Sequence, residues 1–545
     1  MAWPQTYFLF GQGLAFSAAL AAVPVFALLI LLGIFRKPAW VAGICGLGAT
    51  FLLAVGGYHM PAVMALSAAL HGVAFGLFPI TWIVFWAIAL FRVTEVTGKF
   101  EIIKRSVGRL TLDPRLQALL IAFALGAFLE GAAGFGAPVA IAATMLSGLG
   151  FSAFTASGLC LLANTAPVAF GSIAIPLVTL AGITGLQLDK LSAAVGSLCA
   201  PVSLILPAYL IVAMWGFRGL AGIGLPVAIA GVAFASVQFA ISNFIGPQLT
   251  DILASLTAMV ALIAVLRLRH PVVDGANIYL PVNAAAEISD GITYTASEAI
   301  YAWMPYGWLV ICVLLWGYKP VHLWLDSVSV VIRWPLLYNA ILRMPPIVTR
   351  AAPYPAIFNL NWFAAAGTSC MVATVLSAAC LKVRPMQFAG ILVSVTRTLL
   401  LPTATVTSVL AIAFLMNYCG ATATLGLAFS ASGALFPFSG ALLGWLGVFL
   451  TGSDTSSNAL FGGLQVVTAN RLGFDPVLMA GANSAGGVMG KMISLQTIAV
   501  AAAATGLSVA DQSKVLRFTL KHSILLASVI GLLAMLYAYV FHLHW

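Results

Sequence analysis

Two carboxylates stand out because each lies centrally in a long apolar stretch. Glu130 has no charged neighbour between Arg115 and Asp189. Asp454 ends an uncharged run that begins after Arg397. A charged group at a bilayer centre costs about 2.5–3.5 kcal/mol on insertion scales, so it persists mostly where it faces a cavity or a partner. We interpret both carboxylates as proton-coupling groups. The alternative is a buried ion pair or hydrogen-bonded acid that only locks helices together.

A carboxyl group that is removed from water keeps its proton more readily, because the charged form loses its hydration. Either Glu130 or Asp454 is therefore suited to take up and release protons near neutral pH. The sequence leaves open which of the two carries the proton.

Glycines and polar residues follow each carboxylate and predict breaks in the helices. Glycine lets the backbone unwind and admits a ligand closely, and the exposed N–H groups of a half-helix bind anions. We predict substrate contacts from these residues; the alternative for each hydroxyl is capping of a broken helix. After Glu130 they are Gly131, Gly134 and Gly136, and after Asp454 they are Thr455, Ser456, Ser457 and Asn458.

A weak internal repeat links the two regions. Each carboxylate-bearing break is followed along the chain by an asparagine-plus-hydroxyl break, first Asn164–Thr165 and then Asn483–Ser484. Paired, interrupted apolar segments in two halves of a chain point to the midplane site of a secondary transporter. The alternative is coincidence in a chain rich in small residues. We predict that these four residues also bind substrate.

Two basic residues lie inside apolar segments of the second half. Arg397 stands five residues before Pro402, which is expected to break its segment, and Lys491 follows a glycine-rich run. An arginine fork matches a carboxylate in a bidentate manner, whereas lysine acts as a point charge. We predict that both bind an anionic substrate or balance a carboxylate; the alternative is snorkelling to the membrane interface.

The elements that must position these groups are membrane helices. The chain has 545 residues, of which 62% are hydrophobic and 7% charged, whereas ordinary soluble domains carry about 25% charged residues. Apolar runs of about 20 residues match helical spans rather than the strands of a membrane barrel. We predict an all-α polytopic membrane protein with about 12–14 spans, in two pseudo-symmetric halves with re-entrant or broken helices at the midplane.

The predicted organisation has two transmembrane halves, 1–270 and 299–545, joined by a polar connecting loop at 271–298. The second half contains a predicted extracellular loop at 318–358. An amphipathic stretch at 99–110 is expected on the membrane surface. Outside the broken regions, helices are expected near 13–34, 38–57, 76–96, 192–215, 221–243, 249–268, 299–317, 361–381, 386–418 and 519–541.

The net charge of +10 does not indicate nucleic-acid binding. The basic residues cluster in short loops between spans, and the positive-inside bias places those loops in the cytoplasm and the N-terminus outside. The N-terminus has no basic region of the kind that opens a cleavable signal peptide. The partners expected are membrane lipid, a small-molecule carboxylate and protons; a homo-oligomer is left open.

Several other functions lack their motifs. The seven cysteines have no zinc-like spacing with histidine, so no metal site and no disulfide framework are predicted. There is no phosphate-binding loop for ATP-driven transport, and no cofactor is expected. An intramembrane aspartyl protease would need distinctive motifs around two aspartates, and a signalling receptor would bind without transport; neither is favoured, and no enzyme activity is expected.

Long motifs resemble the bacterial lactate permease family, which includes glycolate permeases. They include "LGAFLEGAAGFGAPVAIAATMLSGLGF", "NTAPVAFG", "SNFIGPQLTDI", "RMPPIVTRAA", "GWLGVFLTGSDTSSNALF" and "GKMIS". The resemblance covers almost the whole chain and implies a proton symporter for lactate and glycolate in the inner membrane. It departs from the family pattern at Tyr301 and Leu495. A sodium-coupled carboxylate symporter remains the alternative, because hydroxyl and amide breaks also suit Na⁺.

Overall fold

The structure is a computed structural model that describes residues 2–108, 110–134, 137–269 and 294–541. Within these ranges, 12 helices are long and apolar enough to cross a membrane. This confirms the predicted all-α membrane architecture. The polar loop predicted at 271–298 lies almost entirely outside the described residues. At its end Thr295 caps the next helix, accepting a hydrogen bond from the Glu298 N–H at 3.2 Å.

The helices are numbered in chain order. The first part of the chain contains α1 Leu14–Gly33, α2 Ala39–Leu52, α3 Ala62–Phe75, α4 Trp82–Val96, α5 Lys99–Gly108, α6 Pro114–Ala118, α7 Gly126–Ala132, α8 Ala137–Gly148, α9 Ala153–Ala163, α10 Gly171–Thr184, α11 Leu188–Trp215, α12 Gly224–Phe244 and α13 Thr250–Arg269. The second part contains α14 Ala296–Gly317, α15 Lys319–Asp326, α16 Ala366–Cys380, α17 Pro385–Cys419, α18 Ala421–Phe429, α19 Phe436–Thr451, α20 Asp454–Leu472, α21 Pro476–Lys491, α22 Leu495–Thr505 and α23 Val509–Tyr539.

Two predicted segments differ from the structure. The span expected at 76–96 corresponds to α4, which begins only at Trp82. The preceding helix α3 was not predicted, and the extended residue Phe78 (φ −138°, ψ 124°) separates it from α4. The run expected to break at Pro402 is the single helix α17. Proline is tolerated in membrane helices where neighbouring groups satisfy the freed backbone carbonyl, and α17 continues through Pro402 to Cys419.

The segment predicted as a loop at 318–358 contains secondary structure that the sequence did not indicate. Helix α15 is followed by strands β2 Val330–Arg333, β3 Ile341–Arg343, β4 Ala352–Pro353 and β5 Ile357–Leu360. The N-terminal strand β1 Trp3–Pro4 pairs in parallel with β3, and β3 pairs antiparallel with β4. The N-terminus and this segment therefore lie on the same side of the helix bundle.

Two hairpins and two broken helices build the interior. The first hairpin comprises α6, α7 and α8, and the first broken helix comprises α9 and α10, which meet at a bend of 67°. The second hairpin comprises α19 and α20, and the second broken helix comprises α21 and α22. The breaks predicted after Glu130, at Asn164–Thr165 and beside Asp454 each lie at or next to a helix end in the structure.

The two hairpins enter from opposite sides. Thr144 Oγ1 in the first hairpin donates a hydrogen bond of 3.3 Å to the Ala504 carbonyl. Ala504 lies at the end of α22, shortly before the start of α23. The second hairpin opens at the other end of α23, where Phe436 packs on Phe474 and Phe474 on Tyr539. The tips of both hairpins consequently point into the bundle from opposite sides. The pseudo-symmetry of the two halves stays a prediction.

Glycines bring the second hairpin into direct backbone contact with α21. A Cβ on Gly444 would lie 1.9 Å from the Asn483 carbonyl oxygen, and one on Gly486 would lie 2.1 Å from that of Ala441. A Cβ on Gly490 would lie 2.3 Å from the Trp445 carbonyl oxygen. Small residues permit this close approach in membranes, where helix association depends on van der Waals packing. We call this contact the glycine seam.

Candidate functional site

Both hairpin tips and both helix breaks meet around one small cavity. Ser172, at the break of the first broken helix, donates a hydrogen bond of 3.1 Å to the Ala133 carbonyl at the tip of the first hairpin. The cavity has a volume of about 110 Å³ and is lined by polar residues from all four elements. They include Glu130, Ser172, Ser453, Asp454, Thr455 and Lys491. A space of this size admits a small molecule, since about 10–15 Å³ on the same measure already holds one water molecule.

Glu130 and Lys491 form a buried ion pair at this cavity. Lys491 Nζ lies 2.7 Å from Glu130 Oε1, and the two side chains are 11% and 3% exposed. The pair joins α7 of the first hairpin to the end of α21. The other carboxylate oxygen, Oε2, is buried and has no hydrogen-bond partner among the described residues. Lys491 is the one cation among the described residues that line the cavity.

Asp454 is held by a network of amides and a hydroxyl. Its Oδ2 accepts hydrogen bonds from Ser484 Oγ at 2.7 Å and from Asn458 Nδ2 at 3.3 Å. Asn483 Nδ2 in turn donates to Asn458 Oδ1 at 2.9 Å. Gln465 Nε2 donates to Asn483 Oδ1 at 3.1 Å. This network fixes the side chain of Asp454 beside the cavity, while its Oδ1 is buried without a partner among the described residues.

Both carboxylates lie directly against glycine backbone. A Cβ on Gly171 would stand 3.0 Å from Glu130 Oε1, and a Cβ on Gly487 would stand 2.4 Å from Asp454 Oδ1. Each carboxylate position therefore depends on the absence of a neighbouring side chain. Gly487 lies in the glycine-rich run of α21 that precedes Lys491.

The start of α10 is strained beside the cavity. Ser172, Ile173 and Ala174 have φ values of 48°, 59° and 63°, a left-handed conformation that costs of order 1–3 kcal/mol at each non-glycine residue and persists only when the surroundings impose it. Gly134 at the facing tip also has a positive φ, and a Cβ there would lie 1.8 Å from Ser172 Oγ. The strain places the Ser172 hydroxyl between the hairpin tip and the cavity.

The start of α20 presents a helix N-terminus to the cavity. Ser453 caps this helix by accepting a hydrogen bond from the Ser456 N–H at 3.3 Å. Asp454 and Thr455 occupy its first turn and line the cavity. The free N–H groups and the dipole of this helix end favour negative charge at this position.

Other residues predicted from the second half lie behind the cavity. Ser457 Oγ donates to the Gly444 carbonyl at 3.0 Å and so connects the two helices of the second hairpin. Asn483 and Ser484 were predicted at a break, but they lie inside α21, which runs without interruption to Lys491. The break itself is confined to the turn between Lys491 and Leu495. Asn483 and Ser484 thus support Asp454 rather than line an opening.

The site residues predicted from the first half also lie at different places in the fold. Gly134 lies at the hairpin tip, and Gly136 lies outside the described residues. Asn164 and Thr165 are buried at the break between α9 and α10. Thr165 Oγ1 donates to the Leu162 carbonyl at 2.7 Å, whereas Asn164 Nδ2 has no partner among the described residues.

Arg397 does not lie at the small cavity, contrary to the expectation that it binds substrate or balances a carboxylate there. Its side chain is exposed on α17, and it does not line the cavity. Its position in the middle of an apolar run suggested burial. A helix of 35 residues instead presents this part of its surface outward, as the exposed Val393 and Leu400 on the same helix show.

Asp251 is the carboxylate that sequence reasoning missed. It is the second residue of α13 and is 1% exposed. A Cβ on Gly131 would lie 2.9 Å from the Asp251 Cβ, so Asp251 packs against the residue that follows Glu130. Its place at the start of a span made it look like a solvated end. The motif "SNFIGPQLTDI" contained it, but no spacing rule singled it out.

A second, larger cavity lies at the other end of α10 and α20. It has a volume of about 630 Å³ and is lined by Arg343, Tyr354, Asn417, Asn470 and Arg471, among others. We call it the vestibule. The Arg343 guanidinium lies 5.2 Å from the centroid of the Tyr354 ring, and its Nε is buried without a hydrogen-bond partner among the described residues. Burial raises the pKa of the Tyr354 phenol against the opposing effect of Arg343, so the ring stays neutral beneath the cation.

The family model described as L-lactate permease matches residues 17–541 of the chain. The chain belongs to the L-lactate permease family. It is 41% identical over 553 residues to the glycolate permease GlcA of Escherichia coli, covering 99% of this chain and 98% of the relative. It is 41% identical over 565 residues to the L-lactate permease of Bacillus subtilis, covering 99% of both chains.

A third relative, the L-lactate permease of Escherichia coli, is 39% identical over 548 residues, covering 99% of this chain and 98% of the relative. Together with the 12 candidate spans in the described part of the chain, membership of this family makes the chain a multi-pass transporter of the bacterial inner membrane and not an enzyme. The small cavity at the hairpin tips is accordingly its candidate substrate site.

Proposed function

We propose that the chain imports lactate and related 2-hydroxymonocarboxylates, such as glycolate, together with protons. The observation that carries this proposal is the Glu130–Lys491 ion pair at a cavity of about 110 Å³. A substrate carboxylate needs a cationic partner, and Lys491 already has an anionic one. Substrate and Glu130 therefore compete for the same ammonium group.

Protonation of Glu130 resolves this competition. A neutral Glu130 releases Lys491, and the substrate carboxylate takes its place. One proton and one anion then enter the site together, and its net charge does not change. This matters energetically because moving one negative charge against an inside-negative potential requires about 2.3 kcal/mol per 100 mV.

The remaining polar groups of the cavity suit a 2-hydroxy acid. The hydroxyls of Ser172, Ser453 and Thr455 line it, and each can donate to or accept from a substrate hydroxyl. The N-terminus of α20 adds favourable potential for the anion. Asp454, supported by Ser484 and Asn458, is the second candidate for proton coupling, and its Oδ1 is free to accept from a substrate hydroxyl.

We also propose an orientation. The basic loops around α5 and before α17 lie in the cytoplasm by the positive-inside bias. The N-terminus and the segment at 318–358, which share one side of the bundle, then lie outside. The vestibule with Arg343 and Arg471 faces the same side, where an incoming anion is attracted by two positive charges.

Uptake of labelled L-lactate into proteoliposomes with an imposed pH gradient tests the proposal. We expect accumulation when the interior is alkaline, no requirement for Na⁺, and competition by D-lactate and glycolate. Glu130→Gln and Asp454→Asn should abolish or weaken the response to the gradient. Uptake that needs Na⁺ and ignores the pH gradient would contradict proton coupling, as would undiminished, pH-driven uptake by both variants.

A further inference from the structure

Asp251 is a buried carboxyl group that the exchange between Glu130 and substrate does not explain. It is 1% exposed, and neither of its carboxyl oxygens has a hydrogen-bond partner of regular geometry among the described residues. Glu130 has Lys491, and Asp454 has Ser484 and Asn458. An ionised carboxylate with no such support is strongly disfavoured in a dry interior, so Asp251 is suited to carry a proton.

Gln238 on α12 supplies the acceptor for that proton. Its Nε2 donates a hydrogen bond of 3.0 Å to the Ala166 carbonyl, which fixes the orientation of the amide. Its Oε1 is buried without a partner, and Gln238 lies beside the Asp251 carboxyl group. A protonated Asp251 that donates to this oxygen satisfies an orphan group on each residue at once.

Glu130 is the acid on α7 that lies across the contact between α7 and α13 from Asp251. Gly131 leaves room for α13 to pack on α7 at this point, since a Cβ on Gly131 would lie 2.9 Å from the Asp251 Cβ. A further titratable group in this region is the buried Cys199 on α11. The segment Leu119–Leu125, which also packs on α13, contributes only apolar side chains. None of these neighbours is a cation.

We propose that Asp251 stores the transported proton and passes it to Glu130 when substrate takes Lys491. The proposal rests on the proton coupling put forward above and deepens it. In the resting state Asp251 is neutral and Glu130 is paired with Lys491. On substrate binding the O–H bond of Asp251 breaks and an O–H bond forms on the free Oε2 of Glu130. Asp251 then takes a replacement proton from the aqueous side, so one proton is gained for each anion bound.

Gln238 transmits the state of Asp251 to the broken helix. When Asp251 is ionised, the Gln238 amide turns so that Nε2 donates to the carboxylate instead of to Ala166. The Ala166 carbonyl, which lies in the break between α9 and α10, loses its hydrogen bond. The same break leads into Ser172, which lines the cavity. Proton transfer thereby loosens one wall of the substrate site.

The decisive comparison is between Asp251→Asn and the wild-type protein in proteoliposomes. Asparagine donates permanently to Gln238 Oε1 and mimics the protonated acid, but it cannot release a proton. We expect exchange of labelled for unlabelled lactate in the absence of any gradient to slow, because no proton reaches Glu130 from position 251 and its carboxylate keeps Lys491 paired. We expect the proton uptake that accompanies lactate influx, followed with a trapped pH indicator, to be lost. Substrate-linked proton uptake at the wild-type rate in this variant would overturn the proposal.

A second variant keeps the test decisive if Asp251→Asn does not fold. Gln238→Met removes the acceptor and leaves Asp251 in place. The infrared spectrum of the wild-type protein at neutral pH should contain a protonated carboxyl band that shifts in Gln238→Met. Absence of such a band, or a band that does not respond to the variant, would mean that Asp251 is not held as proposed.

Asp326→Asn is the matched control. Asp326 is exposed and bonds to Ser329 at the end of α15, so the same chemical change there should leave exchange and proton uptake unaltered. Failure of the underlying function is separately visible. If wild-type protein takes up lactate without any proton, the coupling is wrong, whereas proton uptake in both wild type and Asp251→Asn refutes only the role of Asp251.

Discussion

Lys491 Nζ and Glu130 Oε1 lie 2.7 Å apart although 361 positions separate the two residues in the chain. The ion pair connects the first hairpin to the second broken helix, so the two parts of the bundle share one charged contact at the cavity. Buried pairs of this kind contribute little net stability, but removing one partner leaves an uncompensated charge. Their chemistry is therefore best tested by comparing single and double variants.

Lys491→Gln should reduce lactate uptake by about 100-fold, because loss of one partner of a buried charge pair costs about 2–5 kcal/mol of binding. Glu130→Gln should instead retain exchange and lose its dependence on pH. In the wild-type protein, uptake at low lactate should rise as external pH falls, since each anion is proposed to enter with a proton. Initial rates across a pH series measure both effects. An unaltered pH profile in Glu130→Gln would contradict this assignment.

The double variant Glu130→Gln/Lys491→Gln should unfold at a higher temperature than Lys491→Gln alone. In the single variant Glu130 is a buried charge without a partner, and breaking such a pair costs about 3–5 kcal/mol. Thermal unfolding in detergent, followed by intrinsic fluorescence, compares them. Equal unfolding temperatures would show that Glu130 finds another partner.

Gly487→Ala should greatly reduce transport, because the added Cβ would lie 2.4 Å from Asp454 Oδ1 and 2.9 Å from Val448 Cγ2. Overpacking of this kind costs about 1–3 kcal/mol and displaces the carboxylate from its network. Gly48→Ala on α2 is the control, since nothing lies within 4 Å of its added methyl. Uptake and unfolding temperature of both variants provide the measurement, and a fully active Gly487→Ala would refute the packing argument.

Replacement of both vestibule arginines by glutamine should raise the KM for external lactate by up to about tenfold and leave the maximal rate nearly unchanged. Charged clefts raise the local concentration of an oppositely charged ligand, and the effect declines with ionic strength. The wild-type KM should therefore increase with added potassium gluconate, whereas that of Arg343→Gln/Arg471→Gln should respond less. The same salt response in both proteins would exclude this role.

Arg115→Gln should destabilise the protein by about 3–5 kcal/mol. Arg115 Nη2 lies 2.7 Å from Asp113 Oδ2, and Nη1 donates to the Gly219 carbonyl at 2.9 Å, with both side chains buried. This contact attaches the base of the first hairpin to the turn after α11. Arg92→Gln is the control, because the exposed Arg92–Glu95 pair contributes about 0.2–1 kcal/mol. Chemical unfolding compares the two, and similar losses would contradict the prediction.

The sequence predicted the site best where a charge conflicted with its surroundings. Glu130, Asp454 and Lys491 all reach the cavity, because a charge deep in an apolar run needs a polar contact in the folded state. The same rule was wrong for Arg397, since the rule considers the run along the chain and not the face of the helix. Which face is buried depends on packing between distant helices.

Asp251 was missed for the opposite reason. Charges at span ends are usually solvated, and only the packing of α13 on Gly131 buries this one. The length of α21 was also underestimated, because a glycine-rich run containing Asn483 and Ser484 reads as a break. In the structure those glycines serve close packing against α19, and the helix continues to Lys491.

The glycine seam has a mechanical consequence. Where main chains touch without intervening side chains, one helix cannot slide past the other without a collision. Helices α19 and α21 therefore move as one rigid unit. Asp454 lies at the tip of the second hairpin, just after α19, and Lys491 is the last residue of α21. Any movement that exposes one of these residues to a new side of the membrane must carry the other with it.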